Sequence, residues 1–225
     1  MKFSNAAKLK AAVKKIAADS GVTAQGVLQK YVLERFLCRL AASEYRDNFI
    51  LKGGFLTSSL VGVANRTTMD IDATMTVPFY IDVTTGDTIT PKPILQLFWS
   101  MFDDGDYELL SYNLETLLAE KLDTVLSRGV LNTRSRDFYD IDLLWNRYKK
   151  TIKKDILATA IRNTMSSRNN LKSLEDFENI LNSVLSDGKM KERWANYQQE
   201  YVFAAGKSFS EVCNSVLEIL RTLPT

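Results

Sequence analysis

Read for the spacing of its apolar positions, the chain opens with two amphipathic helices. Over residues 4–19, Leu9, Val13 and Ile16 recur at helical spacing, and Gly21 stops the run. Thr23 caps a longer helix to about Tyr45, with Val27, Leu28, Tyr31, Val32, Phe36, Leu37 and Leu40 as its buried stripe. The period then changes. Phe49-Ile50-Leu51 is a short strand that stops at Gly53-Gly54, and a brief helix follows to about Val63. Residues 67–72 and 73–83 are extended and rich in β-formers, with further strands near 94–100 and 108–111. From there the pattern is helical to the end: 114–128, 135–149, 152–166, 174–186, 188–206 and 209–222, with breaks at Asp187-Gly188 and Gly206. The expected fold is α+β. Residues 1–112 hold N-terminal helices and a small mixed β-sheet core, and residues 113–225 a helical half that completes the active site.

Composition narrows the chemistry. A chain of 225 residues, 45% apolar and 25% charged, can bury a sizeable core. Its net charge of +2 is no polyelectrolyte signature. Histidine is absent, which excludes Ser-His-Asp and Cys-His catalysis and the usual zinc sites. Cys38 and Cys213 lie far apart in apolar helical patterns, as reduced core residues of a cytoplasmic protein do. No apolar run approaches the roughly 18 residues of a membrane span, and the N-terminus lacks the apolar segment of a signal peptide. The basic face of the first helix is an ordinary solvated face or, in the sharper reading, an RNA contact.

Two stretches carry candidate chemistry. Gly53 and Gly54 precede a helix, where backbone N–H groups can approach a phosphate. In Met69-Asp70-Ile71-Asp72 the aspartates stand two apart on a strand, so both project to one side while Met69 and Ile71 face the core. Paired carboxylates repel, and Mg²⁺ or Mn²⁺ relieves that with oxygen ligands. Asp82 is a third carboxylate, ahead of a Thr-Thr-Gly-Asp turn. Arg66 is either a phosphate ligand or a structural partner of the aspartates, and strand alternation turns Lys52 away. Alone, a glycine pair is usually a turn and Asp-x-Asp a solvated edge; the ordered set is far more specific.

The second stretch is two charges on an apolar face. Lys121 falls in the middle of the stripe formed by Leu114, Leu117, Leu118, Leu122 and Val125. It either snorkels at the core edge or is aimed at an anion. Asp137 shares the face of Ile141, Leu144 and Tyr148, with Asp140 beside it; one aspartate there could simply stabilise the helix N-terminus. Together they suggest a Lys121–Asp137 pair that holds and orients phosphate.

These motifs resemble the AbiEii/MenT nucleotidyltransferase toxins of the DNA polymerase β-like nucleotidyltransferase superfamily. The resemblance rests on Phe49-Ile50-Leu51-Lys52-Gly53-Gly54, Thr68-Met69-Asp70-Ile71-Asp72, Tyr112-Asn113-Leu114-Glu115-Thr116, Ala119-Glu120-Lys121-Leu122 and Arg136-Asp137-Phe138-Tyr139-Asp140-Ile141. It implies metal-dependent transfer of a nucleotide from an NTP, by the toxin of a toxin–antitoxin or phage-defence pair with a cognate antitoxin. In related toxins the acceptor is RNA, the 3′ end of tRNA. By similarity Asp70 and Asp72 hold metal, with Asp82 as a further ligand; Lys121 contacts nucleotide phosphate, and Asp137 joins the catalytic cluster. Gly53, Gly54 and Arg66 would bind the nucleotide. A basic groove using Lys14, Lys15, Arg162, Arg168, Lys172 or Lys189 would favour RNA; a closed acidic pocket would favour a small cationic acceptor. A degenerate nucleotide-binding module is the third reading. The pattern departs from the family at one place, where only nine residues separate Asp72 from Asp82. Either the chain is naturally trimmed or a segment is missing. Met75-Thr76-Val77-Pro78 lacks the glycine or asparagine of a tight hairpin, which favours the second.

Overall fold

The computed structural model describes residues 3–62, 81–102, 105–170 and 174–224. The chain forms two compact units: residues 1–84 with 93–111, and residues 85–92 with 112–225. Asp70, Asp72, Arg66 and the strand that would carry the aspartates lie outside the described residues.

In the first unit, α1 (Ala6–Ser20) starts where the Asn5 side chain accepts a hydrogen bond from the Lys8 N–H. It ends at Gly21, whose φ of 64° closes the last turn. Val13 and Ala17 of α1 pack on Val27, with Leu9, Ile16 and Leu28 around them. Thr23 caps α2 (Ala24–Ala41) as expected, but α2 stops short of Tyr45. The Ser43 N–H and hydroxyl both bond the Leu40 carbonyl, which diverts the i−4 ladder into a tighter turn. Of the expected stripe, Phe36 is exposed. After a 3₁₀ turn at Arg46–Asn48, the expected strand at 49–51 shrinks to one parallel bridge from Leu51 to Ser111. Then comes α3 (Gly53–Val61).

Strands β1 (Ile94–Trp99) and β2 (Asp106–Ser111) are antiparallel, in register from Ile94↔Ser111 to Trp99↔Asp106. Among the described residues the sheet is this antiparallel pair rather than the expected mixed sheet, with the parallel Leu51 bridge isolated beside β2, and the fold is α+β. Of the expected extended run 73–83, the described residues 81–83 form no strand, and Ile81 and Val83 are exposed.

A buried polar cluster ties α2 to its neighbours. The Glu34 carboxylate accepts bonds from the Ser100 hydroxyl (2.8 Å) and the Met101 N–H (2.9 Å). One turn earlier, Lys30 Nζ donates to Ser58 Oγ of α3 at 3.1 Å and lies 5.9 Å from the centre of the Phe55 ring. Burial pushes the Lys30 amine down to about 8, with Glu34 opposing the shift.

The second unit is helical: α4 (Leu114–Arg128), α5 (Ser135–Tyr148), α6 (Lys154–Ser167), α7 (Leu174–Ser186), α8 (Gly188–Glu200) and α9 (Phe209–Thr222). Helix α4 packs on α5 and α6, and α5 on α9. The expected helix 188–206 breaks at Glu200. Gln198 Nε2 and Trp194 Nε1 both bond the Lys207 carbonyl, folding residues 202–207 back against α8. Ser208 and Glu211 then form a capping box for α9. Ahead of α4, Asn113 caps the helix through Thr116 N–H and donates to the Thr90 and Lys92 carbonyls. Thr116 Oγ1 bonds both the N–H and the carbonyl of Thr90.

Cys213 is buried, its thiol pushed up to about 12 by desolvation; Cys38 is half-buried, and neither forms a disulfide among the described residues. No described helix is long and apolar enough to cross a membrane.

The half-buried Lys30 charge opposes folding. Its proton is bound more weakly in the folded chain than in the unfolded one, so the penalty is full below pH 8 and fades as pH rises from about 8 to 10.5. Lys30→Met therefore raises Tm at pH 7, and thermal melts across that interval show the gap to the wild type narrowing.

Candidate functional site

Helix α4 turns Leu117, Leu118, Leu122 and Val125 into the core, and Lys121 goes in with them at 8% exposure. Its length lets the ammonium reach across to α5. There Nζ meets Asp140 Oδ2 at 2.6 Å and Asp137 Oδ1 at 3.6 Å. Asp137 and Asp140 stand three apart on α5 and so share one face. Asp140 is fully buried and Asp137 nearly so. The expected Lys121–Asp137 pair is thus the longer arm of a triad whose short contact is Lys121–Asp140.

The charge balance follows directly. Among the described residues, one ammonium faces two carboxylates at this point. Asp137 sits in the first turn of α5, where the helix dipole helps to hold its charge. Both readings of Asp137 therefore hold at once: it is a first-turn aspartate, and it faces inward. Its second oxygen, Oδ2, is buried with no hydrogen-bond partner among the described residues. An unsatisfied carboxylate oxygen of this kind is a hard donor for a divalent cation, or an acceptor for a hydroxyl proton.

The glycine pair lies in the first unit. Gly53 opens α3 at φ 74°, a backbone that side-chain-bearing residues rarely adopt, and nothing lies within 4 Å of where its Cβ would be. Lys52, the residue before it, provides no side-chain cap. The N-terminal N–H groups of α3, with Gly54 next in line, receive no cap from the N-cap side chain, and such a helix end suits an anion.

Asp82 is exposed on the irregular stretch 81–89 rather than on a strand. Among the described residues no three of His, Cys, Asp and Glu gather as a metal site. The carboxylate oxygens of this chain nevertheless fit Mg²⁺ or Mn²⁺ in kind. Of the candidate basic residues, Arg168 is held by Glu120 (2.8 Å) and Asp123 (3.0 Å). Arg162, Lys189, Lys14 and Lys15 are exposed, and Lys172 lies outside the described residues.

Three buried charges escaped the sequence reading. Asp142 Oδ1 accepts Ser215 Oγ (2.6 Å) and Asn146 Nδ2 (2.7 Å), while Oδ2 pairs with Lys207 (2.7 Å), so α5 is anchored to α9. Glu34 and Asp123, which pairs with Arg168, are the others. Glu34 stands three residues from both Tyr31 and Leu37 on the apolar stripe of α2, the same signal that singles out Lys121.

A family model described as nucleotidyl transferase AbiEii toxin, type IV TA system, matches residues 35–79 and 74–215. The two stretches meet at residues 74–79, inside the short Asp72–Asp82 spacing. No curated protein and no solved structure gives a match.

Removing the ammonium strands two carboxylates. Lys121→Met should cost about 3–5 kcal/mol of stability in urea unfolding at neutral pH. Asp137→Asn, which keeps the size of the side chain and leaves Lys121 with Asp140, should cost far less.

Proposed function

The chain belongs to the family of AbiEii nucleotidyl transferase toxins of type IV toxin–antitoxin systems, and on that premise we propose that it transfers a nucleotide from an NTP to RNA, at the 3′ end of tRNA. The observation that carries this reading is the buried Lys121–Asp137–Asp140 triad with its unpartnered oxygen, on helices inside the matched stretch. Most buried polar side-chain atoms in a structural core are satisfied, which sets this oxygen apart as a candidate for chemistry.

The acceptor hydroxyl attacks the α-phosphorus in line. A new P–O bond forms, the α–β P–O bond breaks, and pyrophosphate leaves. Asp137 Oδ2 takes the proton of the acceptor hydroxyl. Lys121 has three N–H donors; Asp140 and Asp137 face two, and the third is directed to a phosphate oxygen. Asp140 holds the ammonium in place. Gly53 and Gly54 give their backbone N–H groups to the β- and γ-phosphates, with Arg66 as a further phosphate ligand. When bound to Asp70 and Asp72, with Asp82 as a further ligand, Mg²⁺ or Mn²⁺ would neutralise phosphate charge and acidify the hydroxyl. The cognate antitoxin is the expected protein partner.

Incubation with Mg²⁺, bulk tRNA and each of four α-labelled NTPs tests this. One NTP should label the RNA, and Asp70→Ala or Asp137→Asn should lower labelling by about 100-fold or more. NTP binding without label in RNA would overturn the tRNA acceptor and direct attention to a small-molecule acceptor or a binding role.

A further inference from the structure

Charge is divided unevenly along this chain. Residues 1–46 hold nine Lys or Arg and three Asp or Glu, whereas residues 47–225 hold 20 and 24. A net charge of +2 therefore hides a strongly basic N-terminal hairpin on an otherwise acidic chain. The family match begins at residue 35, so α1 and the first half of α2 lie ahead of it.

The placement of these charges is not even either. Leu9, Val13, Ile16 and Ala17 turn α1 onto α2. At 100° per residue, Lys8, Lys14 and Lys15 then fall on the opposite, outward face and Lys10 on its flank. All four are exposed, and none makes an ion pair among the described residues. They lie within about 10 Å along the helix axis. Asp19 is the one acidic residue of α1. Beside α1, a groove of about 700 Å³ runs to α2, lined by Phe3, Tyr31, Arg35 and Arg39. Arg39 is exposed at its edge and also forms no ion pair, so the basic strip continues onto α2. Of the three acidic side chains in residues 1–46, Glu34 is buried and bonded to Ser100 and Met101. The outward surface thus carries like charges that repel one another, a cost a polyanion relieves.

We propose that the outward face of α1, with Arg39 of α2, is a docking surface for the phosphate backbone of the acceptor RNA, separate from the residues that carry out transfer. The proposal rests on the RNA acceptor reading above. It assigns backbone contacts, which position the RNA without reading its sequence.

The test uses the full chain and end-labelled bulk tRNA titrated between 50 and 200 mM salt. A variant with Lys8, Lys10, Lys14 and Lys15 changed to Gln keeps good helix formers on an exposed face. A control changes Lys150, Lys153, Lys154 and Lys191 to Gln, four exposed lysines of the second unit. The α1 variant should bind tRNA about tenfold or more weakly at 100 mM salt, with the slope of log K against log salt shallower by about 3. Its Tm and its affinity for the donor NTP should match the wild type, and the control should bind RNA nearly as the wild type does. Equal RNA binding and slope in the α1 variant and wild type would overturn the docking surface and leave the RNA acceptor standing. An equal loss in the control would reduce the effect to net charge and overturn it as well. A wild-type chain that neither binds nor labels RNA would bring down the acceptor reading and this proposal together.

Discussion

The second unit turns on one ion pair in a dry place. Lys121 and Asp140, 2.6 Å apart between α4 and α5, are each too costly to bury alone. Their pairing makes it possible for two apolar helix faces to close over charged groups. Everything around them serves that closure: the leucines of α4, the caps at Asn113 and Thr116, and the Asp142–Ser215–Lys207 anchor that holds α5 on α9. An ammonium fixed this way keeps its direction before any ligand arrives. Preorganised charge of this kind stabilises a transferring phosphoryl group without reorganisation during the reaction.

The first unit is held by the same kind of constraint, resolved differently. Glu34 lies in the apolar stripe of α2, and neighbouring hydroxyl and amide donors satisfy it. Half-buried Lys30 has the Ser58 hydroxyl and the face of Phe55, and desolvation pushes its amine down against the opposing charge of Glu34.

Much of this was legible in the chain. The ends of α4, α7 and α9 fall where periodicity and capping residues place them, because those signals are local. Lys121 and Asp137 stood out because a charge in the middle of an apolar stripe has few explanations. Contacts distant in sequence were harder to see. Asp142 looks solvated until Ser215, 73 residues away, reaches it. The short contact of Lys121 goes to Asp140 rather than Asp137, and spacing alone does not separate two carboxylates three residues apart on one helix face. The strand at 49–51 was overread: its apolar residues are there, but Leu51 alone forms a bridge.

Neither unit is a single stretch of chain, and the Asn113 side chain has a role in that. It grips the Thr90 and Lys92 carbonyls, so residues 85–92 belong with the helices while 93–111 belong with the sheet. No single cut can therefore release either unit whole. A fragment ending at Ser111 would carry Thr90 away from Asn113, Thr116 and Asn163, its partners, and leave those polar groups bare. The two halves are bound to be made, folded and degraded as one chain, whatever each contributes to the chemistry.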